Sequence, residues 1–130
     1  MGISHAKPGE IRVVVADDHE AFRKALVMAI ELYGELDVVG QASNGTEAVQ
    51  LCRQLHPDVM VLDFMMPDMN GLMAAQQIHK DNSAVRIFIM TGLDTENHDA
   101  FRQKATTASA VTVLSKDVLL STLLEEIRRA

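Results

Sequence analysis

The chain has 130 residues, the length of one ordinary domain, and its 48% apolar and 23% charged residues are typical of globular proteins. Twelve basic and 18 acidic residues give a net charge of −6, which is unfavourable for contact with nucleic-acid phosphate. No apolar stretch approaches the roughly 18 residues that a membrane-spanning helix requires. A single cysteine, Cys52, cannot form an internal disulfide, so a reducing, cytoplasmic setting is expected.

Residues 1–10 contain little apolar material and no run long enough for a secretory signal. They are interpreted as a short, flexible N-terminal tail, and residues 11–130 as one domain. Because the chain ends at Ala130, where a linker would normally begin, we expect a domain cut from a longer protein.

From Ile11 onward, short apolar runs alternate five times with longer amphipathic stretches. Apolar or β-branched runs predict strands over residues 13–16, 38–39, 59–62, 87–90 and 111–114, each followed by a helix. For the second helix, Asn44-Gly45 could instead form a hairpin turn, but Glu47 and the helical period that follows favour a capping box. Five strand–helix units with short connections predict an α/β fold, one parallel sheet with helices on both faces.

The order of the strands follows from their polarity. The first, third and fourth runs are continuously apolar, as strands covered on both faces should be, whereas Gly40, Gln41 and Thr112 make the second and fifth more polar. We therefore predict a doubly wound, flavodoxin-like sheet of order 2-1-3-4-5. In that order the first and third strands are neighbours at the point where ligands bind, outside the carboxyl ends of the strands.

Polar residues follow four of the predicted strands. Asp17 and Asp18 follow the first, Asp63 the third, Thr91 the fourth and Lys116 the fifth. An Asp at the end of a strand is more often a helix cap or a turn residue. Such residues at the same end of four strands are much harder to obtain by accident, so one polar crevice is predicted.

Clustered carboxylates raise each other's pKa unless a cation joins them. Lys116 offsets one charge, and a divalent cation would offset two more. With no imidazole or thiolate expected nearby, the carboxylate oxygens suit a hard ion such as Mg²⁺. An Asp beside Mg²⁺ and a Lys is equipped to attack phosphorus and form an aspartyl phosphate.

Four segments carry a family resemblance: Val-Val-Ala-Asp-Asp-His at 14–19, Asp-Phe-Met-Met-Pro-Asp-Met-Asn-Gly at 63–71, Met-Thr-Gly at 90–92 and Leu-Ser-Lys-Asp at 114–117. From about residue 11 to 129 the chain resembles the receiver domain of two-component response regulators. Val-Val-Gly-x-Ala-Ser at 38–43 and the Lys-Asp pair are most similar to the NarL/LuxR-type subfamily, whose members carry a C-terminal helix-turn-helix.

The resemblance implies a phosphorylation-dependent switch, not an enzyme with turnover. It makes Asp63 the phosphoacceptor for a sensor histidine kinase. Asp18, Asp63 and the backbone carbonyl of Met65 would bind Mg²⁺, with Asp17 acting through a metal-bound water. Lys116 and Thr91 would contact the phosphoryl group, and Gly92 would leave it uncovered. The implied partners are the kinase, a C-terminal output domain (DNA-binding in the full-length protein) or a downstream protein, and a second copy on phosphorylation.

Some positions depart from the family pattern. Val113, three before Lys116, replaces the usual switching aromatic residue, Ser109-Ala110 replaces Gly-Ala, and 24 residues separate Thr91 from Lys116. These changes predict an altered output face. The apolar Met65 cannot orient a water molecule toward the phosphoryl group, which predicts slow self-dephosphorylation.

Two other functions compete with the switch. A phosphohydrolase similar to haloacid dehalogenases needs Asp-x-Asp after the first strand, but His19 stands two after Asp17 and Met65 two after Asp63. A receiver-like binding module independent of phosphorylation would fit the altered output face. Among the remaining residues, His19 is interpreted as a loop or cap residue, Cys52 as buried, and Met66 and Met69 as packing for the loop after Asp63.

Overall fold

The computed structural model describes residues 10–92, 111–115 and 120–129, with the backbone alone for residues 120 and 121. Five strands are present: β1 Ile11–Ala16, β2 Leu36–Ala42, β3 Val59–Asp63, β4 Arg86–Thr91 and β5 Thr112–Ser115. The described helices are α1 Glu20–Tyr33, α2 Gly45–Leu55, α3 Gly71–Asp81 and α4 Leu120–Arg128. Residues 1–9 of the proposed tail over residues 1–10 lie outside the described residues, as do the helix expected around Phe101 and Lys116.

All four neighbouring strand pairs are parallel, and the order is β2-β1-β3-β4-β5. The predicted doubly wound α/β sheet is therefore confirmed, with β1 and β3 side by side. Since every strand runs in the same direction, the carboxyl ends of all five strands lie at one edge of the sheet, where Asp17 and Gly92 follow β1 and β4 and Asp63 ends β3.

The sheet buries both of its faces. On one face, Val13, Val15 and Phe88 of the strands form a buried apolar cluster with Ile30 of α1 and Ile127 of α4. The opposite face packs on α2 and α3, as the apolar cluster of Val14, Leu62, Ile89, Cys52 and Ile78 shows. The alternation follows the period of two along each strand, and it confirms both the helices on two faces and the burial of Cys52.

The second strand is longer than predicted. Residues 38–39 were expected, but β2 pairs with β1 from Leu36 to Ala42, with a register shift between Val13 and Val14. Polar residues and Gly40 made the strand hard to recognise from the sequence. They are tolerated because, among the described strands, β2 pairs only with β1 and lies at the edge of the sheet. Gly40 is favoured by close packing, since a Cβ there would lie 2.9 Å from the Leu55 side chain.

A helix, not a hairpin, follows Asn44, so that alternative is wrong. The Asn44 side chain accepts a hydrogen bond from the Glu47 backbone N–H at 2.8 Å. The Glu47 carboxylate accepts hydrogen bonds from the backbone N–H and the hydroxyl of Ser43, at 2.7 and 2.8 Å. The return bond thus reaches Ser43, not Asn44 as in a standard capping box. None of the described helices is long and apolar enough to cross a membrane.

Candidate functional site at the carboxyl edge of the sheet

The three predicted carboxylates meet at the carboxyl ends of β1 and β3. Asp17 and Asp18 follow β1, Asp63 is the last residue of β3, and one donor atom from each lies within 4.8 Å of the others. Asp17 and Asp63 are 2% and 3% exposed, whereas Asp18 is more open to solvent. The prediction that these side chains converge is confirmed.

The sequence also predicted that no imidazole lies near the carboxylates, and that prediction is wrong. His19 Nδ1 lies 3.3 Å from Asp17 Oδ1, 3.2 Å from Asp18 Oδ1 and 4.0 Å from Asp63 Oδ2. The residue does occupy the N-cap position of α1, as a loop or cap residue would, but its side chain makes no capping bond. The sequence did contain a signal for this contact, because His19 directly follows Asp17 and Asp18 in a short connection and must lie close to both.

The loop between β1 and α1 is held by hydrogen bonds from both backbone and side-chain groups. The Asp17 N–H donates to the Ala42 carbonyl at 3.0 Å, and the His19 N–H donates to Asp17 Oδ1 at 2.8 Å. Arg23 adds a bond from its guanidinium to the Asp17 carbonyl at 2.8 Å and another to the Gln41 side chain at 3.1 Å. Arg23 was not identified from the sequence, where it looks like any charged residue on a helix surface.

The glycine of the 63–71 motif is required by a close backbone approach. The Gly71 N–H donates to the Phe64 carbonyl at 2.8 Å, so the start of α3 lies directly against the end of β3. A Cβ on Gly71 would lie 2.6 Å from the Asp63 carbonyl oxygen and 2.9 Å from Phe64 Cα. Only glycine lets α3 begin this close to Asp63.

Asp68 fastens the same loop to α2. Its carboxylate accepts hydrogen bonds from the backbone N–H groups of Gly45 and Thr46, at 2.8 and 2.9 Å, and from the Thr46 hydroxyl. The Thr46 hydroxyl bond, followed by the backbone bonds, lowers the pKa of Asp68 from 3.8 to about 2. An Asp inside a Met-Pro-x-x-x-Gly segment carries no sequence signal for this contact, since its partners lie 22 and 23 residues away.

The predicted packing of the loop methionines is confirmed. Met66 is buried, and Met69 packs against the apolar cluster on the α2 and α3 face of the sheet. A Cβ on Gly45 would lie 2.1 Å from Met69 Cγ, so the start of α2 and this loop are in direct contact. Met65, in contrast, is 64% exposed.

The remaining predicted residues fall on β4 and β5. Thr91 ends β4, is fully buried, and lies one position beyond Met90, the residue that pairs with Asp63. Gly92 is exposed, and a Cβ added there would meet no atom of the described residues within 4 Å.

Val113 of β5 is buried among apolar residues on the α2 and α3 face. Lys116 follows β5, outside the described residues, and the Met65 carbonyl as a metal ligand stays a prediction.

The donor set fits a divalent cation. Within the described ranges, the group formed by Asp17, Asp18, His19 and Asp63 is the one place where at least three acidic, His or Cys donors are close enough to share an ion. Three of the four donors are carboxylate oxygens, the ligands that Mg²⁺ prefers. Two of those carboxylates are buried, so a cation among them would offset charge that solvent reaches poorly.

The sequence profile of the response regulator receiver domain family matches residues 13–128. The chain belongs to this family. The receiver domain is 37% identical over 92 residues to a relative from Mycobacterium tuberculosis named "Probable transcriptional regulatory protein NarL", covering 71% of this chain and 43% of that one. It is 40% identical over 81 residues to the transcriptional regulatory protein LiaR of Bacillus subtilis, covering 62% and 38% of the two chains.

A solved structure agrees with these relatives. The two-component response regulator of the LuxR family from Aurantimonas sp. SI85-9A1 superposes with a TM-score of 0.85 at 30% identity, covering 92% of this receiver domain and 84% of that chain. The resemblance to NarL/LuxR-type response regulators is thereby confirmed. The receiver domain spans roughly two fifths of the length of the NarL and LiaR relatives.

Proposed function

We propose that this receiver domain is a phosphorylation switch in which Asp63 accepts a phosphoryl group from the phosphohistidine of a sensor kinase, with Mg²⁺ as cofactor. The observation that carries the proposal is the convergence of Asp17, Asp18 and Asp63 within 4.8 Å, at the point of the sheet where β1 and β3 are adjacent. A doubly wound sheet binds its ligands at that point.

The transfer needs one nucleophile and no further reactant. A carboxylate oxygen of Asp63 attacks phosphorus and forms the P–O bond. The P–N bond breaks, and its electron pair leaves with the kinase imidazole, whose other ring nitrogen carries a proton, so that neutral imidazole is released. Asp18, Asp63 and the Met65 carbonyl would hold Mg²⁺, and Asp17 would act through a water molecule. When bound, Mg²⁺ neutralises charge that develops on the transferring group. Lys116 and Thr91 would contact the phosphoryl oxygens.

The chain's own contribution is to hold these groups in place before the phosphoryl donor arrives. Arg23 and the Ala42 carbonyl fix the loop that carries Asp17 and Asp18. Gly71 and Asp68 fix the loop that follows Asp63, against α3 and α2 respectively. When the groups of a site are already held in position, little interaction energy with the transition state is lost in ordering them.

The phosphorylated state would pass to a C-terminal output domain or a downstream protein in the cytoplasm, or to a second copy of the chain. The NarL and LiaR relatives are named as transcriptional regulatory proteins and are much longer than this chain, which supports a DNA-binding output domain in the full-length protein. Val113 is a buried aliphatic residue of β5. A change at the phosphorylated site would therefore reach the output face without the aromatic residue that usually switches at that position.

Incubation with acetyl phosphate and Mg²⁺, followed by intact-mass measurement, tests the proposal. We expect one phosphoryl adduct, lost in Asp63→Asn and on chelation of the metal, and retained in the control Glu31→Gln, which removes an exposed carboxylate from α1. Catalytic turnover of acetyl phosphate would instead indicate a phosphohydrolase. A folded protein that forms no adduct would indicate a binding module that is independent of phosphorylation.

A further inference from the structure

The imidazole of His19 faces the same small space as the carboxylates proposed to hold Mg²⁺. We propose that His19 joins Asp17, Asp18 and Asp63 as a direct ligand when the site holds a borderline dication, represented by Zn²⁺. This ligand set differs from the one proposed for Mg²⁺, in which Asp17 acts through a water molecule. This inference rests on the metal site of the proposed function, but it concerns the choice of ion and not the phosphoryl transfer.

Two of the distances from His19 Nδ1 to the carboxylates match those between ligands of a single ion, and all four donor atoms lie within 4.8 Å of one another. Ligands about 2.0–2.1 Å from a tetrahedral ion lie roughly 3.3 Å from one another. His19 Nδ1 lies 3.2 Å from Asp18 Oδ1 and 3.3 Å from Asp17 Oδ1. Its distance to Asp63 Oδ2 is 4.0 Å, so the side chains would have to move inward to bind one ion together.

The chemistry of the imidazole donor determines which ions it binds and therefore whose affinity for the site it raises. Mg²⁺ takes oxygen ligands and keeps several waters, so an imidazole nitrogen adds little to its binding. Zn²⁺ binds imidazole nitrogen readily, and carboxylates complete its usual shells. Replacing a water by His19 Nδ1 therefore stabilises bound Zn²⁺ and leaves Mg²⁺ almost unaffected.

The position of His19 suits this role. Its backbone is held on both sides, because its N–H donates to Asp17 Oδ1 at 2.8 Å and its carbonyl accepts from the Arg23 N–H at 2.9 Å. Its side chain is 66% exposed, so Nε2 can carry the ring proton toward solvent while Nδ1 binds the ion. The ion would replace the Nδ1 contact with Asp17.

A competing interpretation is that His19 is only a counter-ion, an imidazolium that offsets the carboxylates when no metal is bound. The two roles predict opposite responses to mutation. Removal of a counter-ion would leave the affinities for Zn²⁺ and Mg²⁺ unchanged or raise both. Removal of a ligand would lower the affinity for Zn²⁺ alone.

Isothermal titration calorimetry of the tag-free chain with Zn²⁺ and with Mg²⁺, at one fixed pH, distinguishes these roles. The informative variant is His19→Asn, because Asn is a preferred N-cap residue and removes the imidazole while leaving a polar side chain of similar reach. We expect Zn²⁺ affinity to fall by more than about tenfold, and Mg²⁺ affinity to stay within about threefold.

His79→Ala, which removes an imidazole from α3, is the matched control and should change neither affinity. Long-range ¹H–¹⁵N spectra of the histidine rings should show Zn²⁺ acting on His19 Nδ1.

Unchanged Zn²⁺ affinity in His19→Asn, or a parallel change for both ions, would overturn the inference. Asp63→Asn separates this result from a failure of the proposed function. If Asp63→Asn weakens binding of both ions while His19→Asn weakens neither, the carboxylate site stands and His19 is not a ligand. If Zn²⁺ binds through His19 but no phosphoryl adduct forms, the ligand assignment stands and the proposed switch fails.

Discussion

The Asp68 carboxylate accepts hydrogen bonds from both the backbone N–H and the hydroxyl of Thr46, and this contact joins the loop after Asp63 to the start of α2. The bonds stabilise the ionised carboxylate, which also lies where the positive end of the helix dipole favours a negative charge. Two segments separated by more than 20 residues in sequence are thereby connected beside the proposed phosphorylation site.

Acid should weaken this connection. Because folding lowers the pKa of Asp68 from 3.8 to about 2, its contribution to stability is complete above the unfolded value and is lost as the pH falls toward 2. Asp68→Asn should therefore be less stable than the unmodified chain near neutral pH, and the difference should shrink below pH 4 and vanish only below the folded pKa of about 2. Since the group is exposed, we expect about 1 kcal/mol or less.

Urea unfolding at a series of pH values measures this difference. Thr46→Val removes the hydroxyl donor and keeps the backbone N–H, so it should reduce the pH-dependent part without abolishing it. Stability curves of Asp68→Asn and the unmodified chain that stay parallel through the acid range would contradict the assignment to Asp68.

Gly71→Ala should destabilise the fold and slow phosphorylation of Asp63. The added Cβ would press on the Asp63 carbonyl oxygen at 2.6 Å, and overpacking of this kind costs about 1–3 kcal/mol. Urea unfolding and the rate of adduct formation with acetyl phosphate measure the two effects. Gly92→Ala is the control for stability, because its Cβ would meet no described atom within 4 Å. Unchanged stability in Gly71→Ala would show that the approach of α3 to β3 is looser than described.

Arg23→Ala should weaken Mg²⁺ binding by about tenfold, as loss of a group that orients metal ligands commonly does. The direction of the change in Mg²⁺ affinity is informative, since removing a positive charge near carboxylates would by itself strengthen cation binding. Loss of affinity would therefore reflect loss of the bonds from Arg23 to the Asp17 carbonyl and to Gln41.

Titration calorimetry with Mg²⁺ provides the measurement. Lys24→Ala removes a neighbouring positive charge that contacts Glu20 on the surface, so its Mg²⁺ affinity should stay the same or increase slightly. If Arg23→Ala behaves like Lys24→Ala, the guanidinium does not position the acidic loop.

Met65→Asn should accelerate loss of the phosphoryl group several-fold. An amide two residues after Asp63 can orient an attacking water molecule by hydrogen bonding, whereas the thioether cannot. Met65 is 64% exposed, so the substitution should leave stability nearly unchanged. Decay of the adduct, followed by intact mass after removal of acetyl phosphate, gives the rate. Met73→Asn makes the same change at an exposed position on α3 and should have no effect. A slower decay in Met65→Asn would refute this role of the side chain.

Much of the fold could be predicted from the sequence because its signals are local. Continuous apolar runs marked the buried strands, and polar residues marked β2 and β5 as edges, so the order β2-β1-β3-β4-β5 followed. The length of β2 was missed since an edge strand tolerates polar residues and Gly40. Asp17, Asp18 and Asp63 were predicted to converge because parallel strands place their carboxyl ends at one edge.

The supporting contacts were decided only by the tertiary structure. Whether His19 points into the acidic cluster, whether Arg23 reaches the Asp17 carbonyl, and whether Asp68 bonds to α2 all depend on how separate segments approach each other. Periodicity along the chain specifies which residues lie on a buried face. It does not specify the direction of a polar side chain in a loop, because that direction is set by hydrogen-bonding partners that only the packed fold brings within reach.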